Sequence, residues 1–428
     1  MKINILNLLH EKLKPAMGCT EPIAIALAGA IAMNNASEID VDKIEMIEVK
    51  ASVNIIKNAM GVMLPSVNEA GIDLAVTLGV LSYKNNDKML EVLNNVDEAM
   101  IKKAKEIIKA NKVKISLANT NKKLYIEVIL ITNKDKIKVI IEDDHTNISL
   151  IEVNDKIIHK KNIESLAGEE KLNYSGNLDL DDILKFIEIV DIKDLKIIED
   201  SIDLNKKISN EGLNKAYGLE VARNIINNIN KGYYHEDIQK VASYVTAAGS
   251  DARMGGAKMA VMSNSGSGNQ GIVATLPVVA VGEKLGINHE KIVRGVALSH
   301  LITIYIKMNF GVLSGLCGAV VAGIGASCGI VYIMGGKKDN IEMAINNMVG
   351  NITGMICDGA KPGCALKVAQ VASTAVDSAL LSLAGQGVGP LDGIVTSDYV
   401  KTIGNFNRLS REASTILDDI ILDSMLNK

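Results

Sequence analysis

The sequence predicts an α+β chain, a mainly α-helical unit joined to a smaller unit built on an antiparallel sheet. Three observations predict it. Between residues 40 and 165 polar and apolar side chains alternate with period two, as half-buried strands do. From about residue 179 apolar residues recur at helical spacing, and past about 250 charges thin out and glycine-rich turns appear. Finally, hydrophobic residues make up 48% of 428 positions, yet aromatics make up only 3%, Trp is absent and Gly occurs 36 times. Such a core must be assembled from Ile, Leu, Val, Ala and Met with many close backbone approaches. The length exceeds one ordinary domain, so two are expected.

Residues 1–36 read as two helices broken at Lys14-Pro15, packing with the larger helical unit. The second begins near Glu21-Pro22, where Pro suits a first turn, and ends at the cluster Asn34-Asn35-Ala36-Ser37. Residues 37–165 form the sheet unit. Its strands are expected at 44–49, 112–117, 125–130 and 136–141, the later ones joined by short turns such as Asn133-Lys134-Asp135. Helices near 68–82 and 97–110 should cover one face. Residues 166–428 form the helical unit, with helical spacing clear at Asp181–Ile187 and Ala222–Ile226.

A net charge of −4 and pI near 6.0, with acidic and basic residues interleaved, give no electrostatic case for nucleic acid. Met1 to Leu13 are amphipathic and lack the apolar run of a secretory signal. Five cysteines is an odd number for a disulfide framework, so reduced thiols in a cytoplasm are expected. Met308 to Gly336 carries no charge. A membrane span is one reading of it; its Gly, Ala and Cys content favours the other, a helix buried all round, with no membrane partner.

The cysteines carry most of the chemistry. Cys357 and Cys364 flank Asp358-Gly359-Ala360-Lys361-Pro362-Gly363, which cannot continue a helix and must turn. Cys317 lies forty residues before Cys357. Three thiols that can converge suggest an iron–sulfur site with an open iron, although the spacing fits no ferredoxin pattern. Zinc held by Cys and His from distant positions stays open. Cys328, eleven residues after Cys317, would stand about 16 Å from it on a continuous helix and reads as a small buried hydrophobe. Cys19 sits at a helix start, where the dipole and unpaired N–H groups lower a thiol's pKa and attract a substrate carboxylate.

Two polar features remain. Ser263 to Gly271 (SNSGSGNQG) is too polar for a core helix and precedes an apolar stretch, so its backbone N–H groups can face a ligand or simply connect elements. It is neither a dinucleotide nor a Walker-type loop. His300 lies in an apolar helix, where a hydrogen-bonded core His is the default.

The segments Gly18-Cys19-Thr20-Glu21-Pro22, Gly266–Gly271, Ser299–Lys307 and Cys357–Lys367 together resemble the L-cysteine desulfidase (UPF0597) family, itself related to the alpha part of the iron–sulfur L-serine dehydratases. The match covers nearly the whole chain, and Cys-Asp-Gly-Ala-Lys is its most specific part. The resemblance implies a [4Fe-4S] cluster, no pyridoxal phosphate (PLP), and breakdown of L-cysteine to pyruvate, ammonia and sulfide. It implies Cys317, Cys357 and Cys364 as cluster ligands. The third dehydratase cysteine falls a few residues further along than Cys364, so this loop is shorter. On this reading an open iron acts as a Lewis acid on the substrate sulfur. Cys19 is the first candidate base, ahead of Lys307, Lys361 and His300. Thr20, Glu21, Ser267, Asn269, Gln270 and His300 are the candidate substrate-binding residues. The alternatives are an L-serine dehydratase on the same scaffold and a non-catalytic iron–sulfur protein that binds amino acids. A homo-oligomer is compatible with the sequence.

Overall fold

The computed structural model describes residues 4–65, 67, 69–161, 178–310 and 314–427. The chain opens with α1 (Ile5–Lys12), β1 (Leu13–Met17) and α2 (Thr20–Asn34). The sheet unit continues with β2 (Ile44–Ala51), α3 (Val53–Ala59), α4 (Ile72–Leu81), α5 (Glu98–Lys109), β3 (Val113–Leu117), β4 (Tyr125–Thr132), β5 (Lys136–Glu142), β6 (Ile148–Val153) and β7 (Lys156–Lys160). The helical unit holds α6 (Leu180–Ile189), α7 (Lys196–Asn214), α8 (Val221–Asn230), α9 (Ile238–Met254), β8 (Ala260–Asn264), α10 (Gly268–Lys284), α11 (His289–Phe310) and α12 (Gly318–Ile333). It closes with α13 (Lys338–Ile352), α14 (Cys364–Leu383), α15 (Tyr399–Arg408) and α16 (Ser414–Leu426). The α+β expectation holds. The boundary expected at 165/166 lies outside the described residues.

The large sheet runs β3-β2-β4-β5-β6-β7. From β2 through β4 to β7 every pair is antiparallel, as the short turns require, but β3 lies parallel to β2. The sheet is therefore mixed rather than purely antiparallel. The physical reason is the connection: α3, α4 and α5 intervene between β2 and β3 and supply the crossover that a parallel pair needs.

The two N-terminal helices go to different cores. Leu8 and Leu9 of α1 join the core of the helical unit. By contrast α2, expected to pack with the helical unit, buries Ile23 to Met33 against the sheet and α4. It is apolar on every side, so its sequence marks no preferred face. It meets α4 so closely that a Cβ on Gly79 would lie 2.0 Å from the Ala26 carbonyl oxygen. Lys14-Pro15, expected as a break between helices, lies in β1, which pairs antiparallel with β8 in the helical unit. At the other end of the chain, α16 packs on α3 and sends Leu422 into the sheet core.

The uncharged run from Met308 contains α12, whose Ala319 to Val331 are buried in the helical core. Among the described residues α14 is the one helix long and apolar enough to cross a membrane, and 56% of its apolar window is buried in the protein.

Asp251 of α9 accepts the backbone N–H of Ala222 in the first turn of α8 at 3.0 Å. A helix N-terminus favours a carboxylate, yet burial outweighs it and pushes Asp251 up to about 7. Its folded pKa exceeds the unfolded value, so the stability it contributes is full at low pH and is lost as pH rises from about 4 to about 7. Asp251→Asn is neutral throughout. Relative to the parent it should gain on the order of 4 kcal/mol between about pH 4 and about pH 8, read by urea unfolding at both.

Candidate active site

Two of the three candidate ligand thiols, Cys317 and Cys357, are brought together by backbone. Leu316 and Ile356 form an antiparallel bridge. Around it the Cys317 N–H donates to the Met355 carbonyl and the Cys357 N–H to the Gly315 carbonyl, both at 2.8 Å. Past Cys357 the chain turns as the Gly and Pro content demands. The Cys364 N–H donates to the Lys361 carbonyl at 2.9 Å, and α14 starts at Cys364. Gly359 is required in this turn. Its φ is +90°, and a Cβ there would lie 2.1 Å from the Lys57 carbonyl oxygen.

Four helices aim their N-termini at one cavity of about 1070 Å³ between the two units. Cys19 is the N-cap of α2, Ser267 of α10 and Cys317 of α12, while Cys364 is the first residue of α14; all four line the cavity. Each end presents unpaired N–H groups and a partial positive charge. Arg253 and Lys307 add positive charge to the lining, and Lys367, ion-paired with Asp358, lines it too. The sheet unit contributes the β5–β6 turn, where His145 Nε2 lies 3.3 Å from Thr20 Oγ1. Glu21 Oε1 accepts from Asn58 Nδ2 at 3.1 Å. Glu11, Glu21, Asp143 and Asp144 also line it, so the cavity offers both signs of charge, and its thiols and helix N-termini suit a soft, thiolate-bound metal.

Burial pushes Cys317 up to about 12, and the neighbouring Cys357 and Cys364 push it further in the same direction. Burial also raises Cys364, against the pull of Lys361 and Lys367. Thiols held this way give up their protons to a metal that repays the desolvation. Among the described residues no three His, Cys, Asp or Glu side chains close on one point as the ligands of a single ion do. A four-iron cluster takes each thiolate on a different iron and needs a wider set. The soft donors, their shared cavity, the facing helix N-termini and the two nearby lysines fit such a group.

The comparisons agree with this chemistry. The family model for the serine dehydratase alpha chain matches residues 87–423. The chain belongs to the serine dehydratase alpha chain family. That family is one of iron–sulfur lyases. Its similarity to proteins named UPF0597 runs end to end. One from Clostridium perfringens strain SM101 is 43% identical over 99% of this chain and 98% of its own length. One from Parabacteroides distasonis is 40% identical over 100% of this chain and 99% of its own. One from Bacteroides thetaiotaomicron is 40% identical over 99% and 97%.

In this dehydratase-family chain Cys19, Thr20, Glu21, Ser267, Asn269, Gln270 and Lys307 all line the cavity with Cys317, Cys357 and Cys364. His300 does not. It is fully buried, and burial pulls it down to about 3, so it stays neutral. Its Nδ1 accepts from Asn264 Nδ2 at 3.0 Å, leaving Nε2–H to donate to Ser201 Oγ (3.0 Å) or Thr275 Oγ1 (3.1 Å). Asn264 in turn accepts from Gln270 Nε2 at 3.0 Å through its backbone carbonyl. His300 therefore braces the turn into α10 from behind and lies outside the cavity lining.

Cys19 also departs from expectation. The helix N-terminus and Arg253 lower its pKa, but burial dominates and pushes it up to about 12. Local sequence displays the helix start, not the burial. Lys361 is occupied in its own turn, 2.5 Å from Asp358, and does not line the cavity. Cys328 is fully buried inside α12, away from the cavity, as its sequence setting suggests. Sequence reasoning missed Arg253 and His145, which carry no local motif.

Proposed function

We propose that this protein is a PLP-independent, [4Fe-4S]-dependent L-cysteine desulfidase of the cytoplasm, eliminating sulfide from L-cysteine to give pyruvate and ammonia. One observation carries the reading: three half-buried thiols share a cavity with four helix N-termini and a half-buried amine. Cys317, Cys357 and Cys364 would hold the cluster, which supplies a Lewis acid to the substrate sulfur when bound. The helix N-termini, with Thr20, Ser267, Asn269 and Gln270, hold the substrate's charged groups. A base then takes the Cα proton. The C–H electron pair becomes the Cα=Cβ bond, and the Cβ–S pair leaves with sulfur. The aminoacrylate that remains hydrolyses to pyruvate and ammonia.

Burial favours Lys307 over Cys19 as that base. It lowers the Lys307 amine to about 8, which leaves a useful neutral fraction near neutrality, whereas Cys19 at about 12 stays a thiol. Lys307→Gln should keep its iron and lose roughly 10²–10⁴-fold in kcat. Cys19→Ala should keep its iron and at least a tenth of the turnover, by the same estimate of roughly what a base contributes. Inverse results for the two would return Cys19 to the role.

The family match supports a second reading, dehydration of L-serine on the same scaffold. Steady-state kcat/KM on both amino acids with anaerobically reconstituted protein separates them. Preference for L-cysteine supports the desulfidase; preference for L-serine replaces it. Product from neither leaves the non-catalytic amino-acid-binding alternative.

A further inference from the structure

We infer that Arg253 is the receptor for the substrate's α-carboxylate and so restricts the site to free amino acids. This deepens the proposed function and rests on it. Arg253 stands in the last turn of α9, lines the cavity and is only 8% exposed. A guanidinium buried to this degree ordinarily pairs with a carboxylate. Among the described residues no Asp or Glu forms an ion pair with it. It instead donates from Nη2 to the Gly18 carbonyl at 2.9 Å and from Nη1 to Asn269 Oδ1 at 3.2 Å, both neutral acceptors. Its Nε is buried without a partner. Five N–H donors thus meet two oxygen acceptors and the sulfur of Cys19, and no carboxylate pairs with the charge.

The surroundings sharpen the deficit. Gly18 immediately precedes the N-cap of α2, and Asn269 lies in the first turn of α10. Arg253 therefore braces two of the helix N-termini that face the cavity, adding its charge to their partial positive ends. Glu21 shares the cavity but forms no ion pair with Arg253, which leaves the guanidinium open to a ligand anion. The planar fork of an arginine matches a carboxylate in a way a lysine cannot. Gln270 offers the complementary half. Its Oε1 is also buried without a partner and lines the same cavity, an acceptor suited to an α-ammonium group. A donor-rich cation and an unsatisfied acceptor together describe a zwitterion.

The test removes the carboxylate from the substrate and the guanidinium from the protein. L-cysteinamide keeps the thiol and the amine of L-cysteine and lacks only the carboxylate. The ratio of kcat/KM for the acid over the amide should fall roughly 100-fold in Arg253→Gln and roughly tenfold in Arg253→Lys, the loss expected for charge-assisted hydrogen bonds. Iron per chain should match the parent. An equal loss on both substrates, which leaves the ratio unchanged, would make Arg253 a brace only, and full activity on both would remove it altogether. Should Arg253→Gln fail to fold, the Arg253→Lys ratio decides. If the parent releases no product from any amino acid, the proposed function fails while this inference is still measured. Calorimetric titration would then compare L-serine with L-serinamide. Tighter binding of the acid, lost in Arg253→Lys, supports the receptor; equal binding by the parent overturns it.

Discussion

Cys357→Ala is expected to leave the protein folded but nearly free of iron, with turnover at background. The same holds for Cys317→Ala and Cys364→Ala. Cys317 and Cys357 flank the Leu316–Ile356 bridge and are fixed by its backbone, not by their side chains. Removing one sulfur therefore leaves the segment in place and subtracts a ligand. Cys364 begins α14, where the turn closed by the Lys361 carbonyl survives substitution. Cys328→Ala is the control. Its sulfur is sealed within α12, so iron and turnover should persist. Iron and acid-labile sulfide per chain after anaerobic reconstitution read the result directly. The parent should approach about four irons per chain. Full iron in Cys357→Ala would sink the ligand assignment.

Lys57→Met should be the most destabilising single change away from the thiols, at about 3–5 kcal/mol. Lys57 is 1% exposed, and its Nζ lies 2.5 Å from Asp418 Oδ1, itself 3% exposed. The pair ties α3 of the sheet unit to α16. Removing the amine leaves a buried carboxylate without its ion-pair partner and with only the more distant Lys123 charge, which costs far more than the intact pair contributes. The damage should also travel. Asp418 Oδ2 accepts from Ser414 Oγ at 3.5 Å, and the Ser414 hydroxyl oxygen accepts the Gly315 N–H. Gly315 in turn holds Cys357 through its carbonyl, and the Lys57 carbonyl packs on Gly359. Urea unfolding of Lys57→Met, Asp418→Leu and the double variant forms the test. The double variant should recover most of the loss, because no lone charge remains. A loss below about 1 kcal/mol for Lys57→Met would mean the pair is solvated.

Local patterns exposed some of this in the sequence. Period-two alternation placed β2 to β5 within a few residues, and Pro22 placed the start of α2. Glycine and proline content identified the turn between Cys357 and Cys364. The missing parts depend on distant partners. β1 is a strand only because β8 lies beside it, about 250 residues later in the chain, with Leu13 opposite Asn264. Lys14-Pro15 by itself reads as a break. Uniform apolarity made α2 a buried helix without saying which core would bury it. The helix start predicts a lowered pKa for Cys19, but burial reverses it, and burial is a tertiary property. Arg253 near a helix C-terminus reads as an ordinary partner of the dipole. Only the fold brings Gly18 and Asn269 to it. His145 meets Thr20 across 125 positions of sequence.

The most direct test of the whole account is product release from L-cysteine by anaerobically reconstituted protein free of PLP. Sulfide and pyruvate should appear in equal amounts, at a rate proportional to the iron bound and abolished by Cys357→Ala. Turnover that persists in iron-free protein, or none in fully loaded protein, would contradict it.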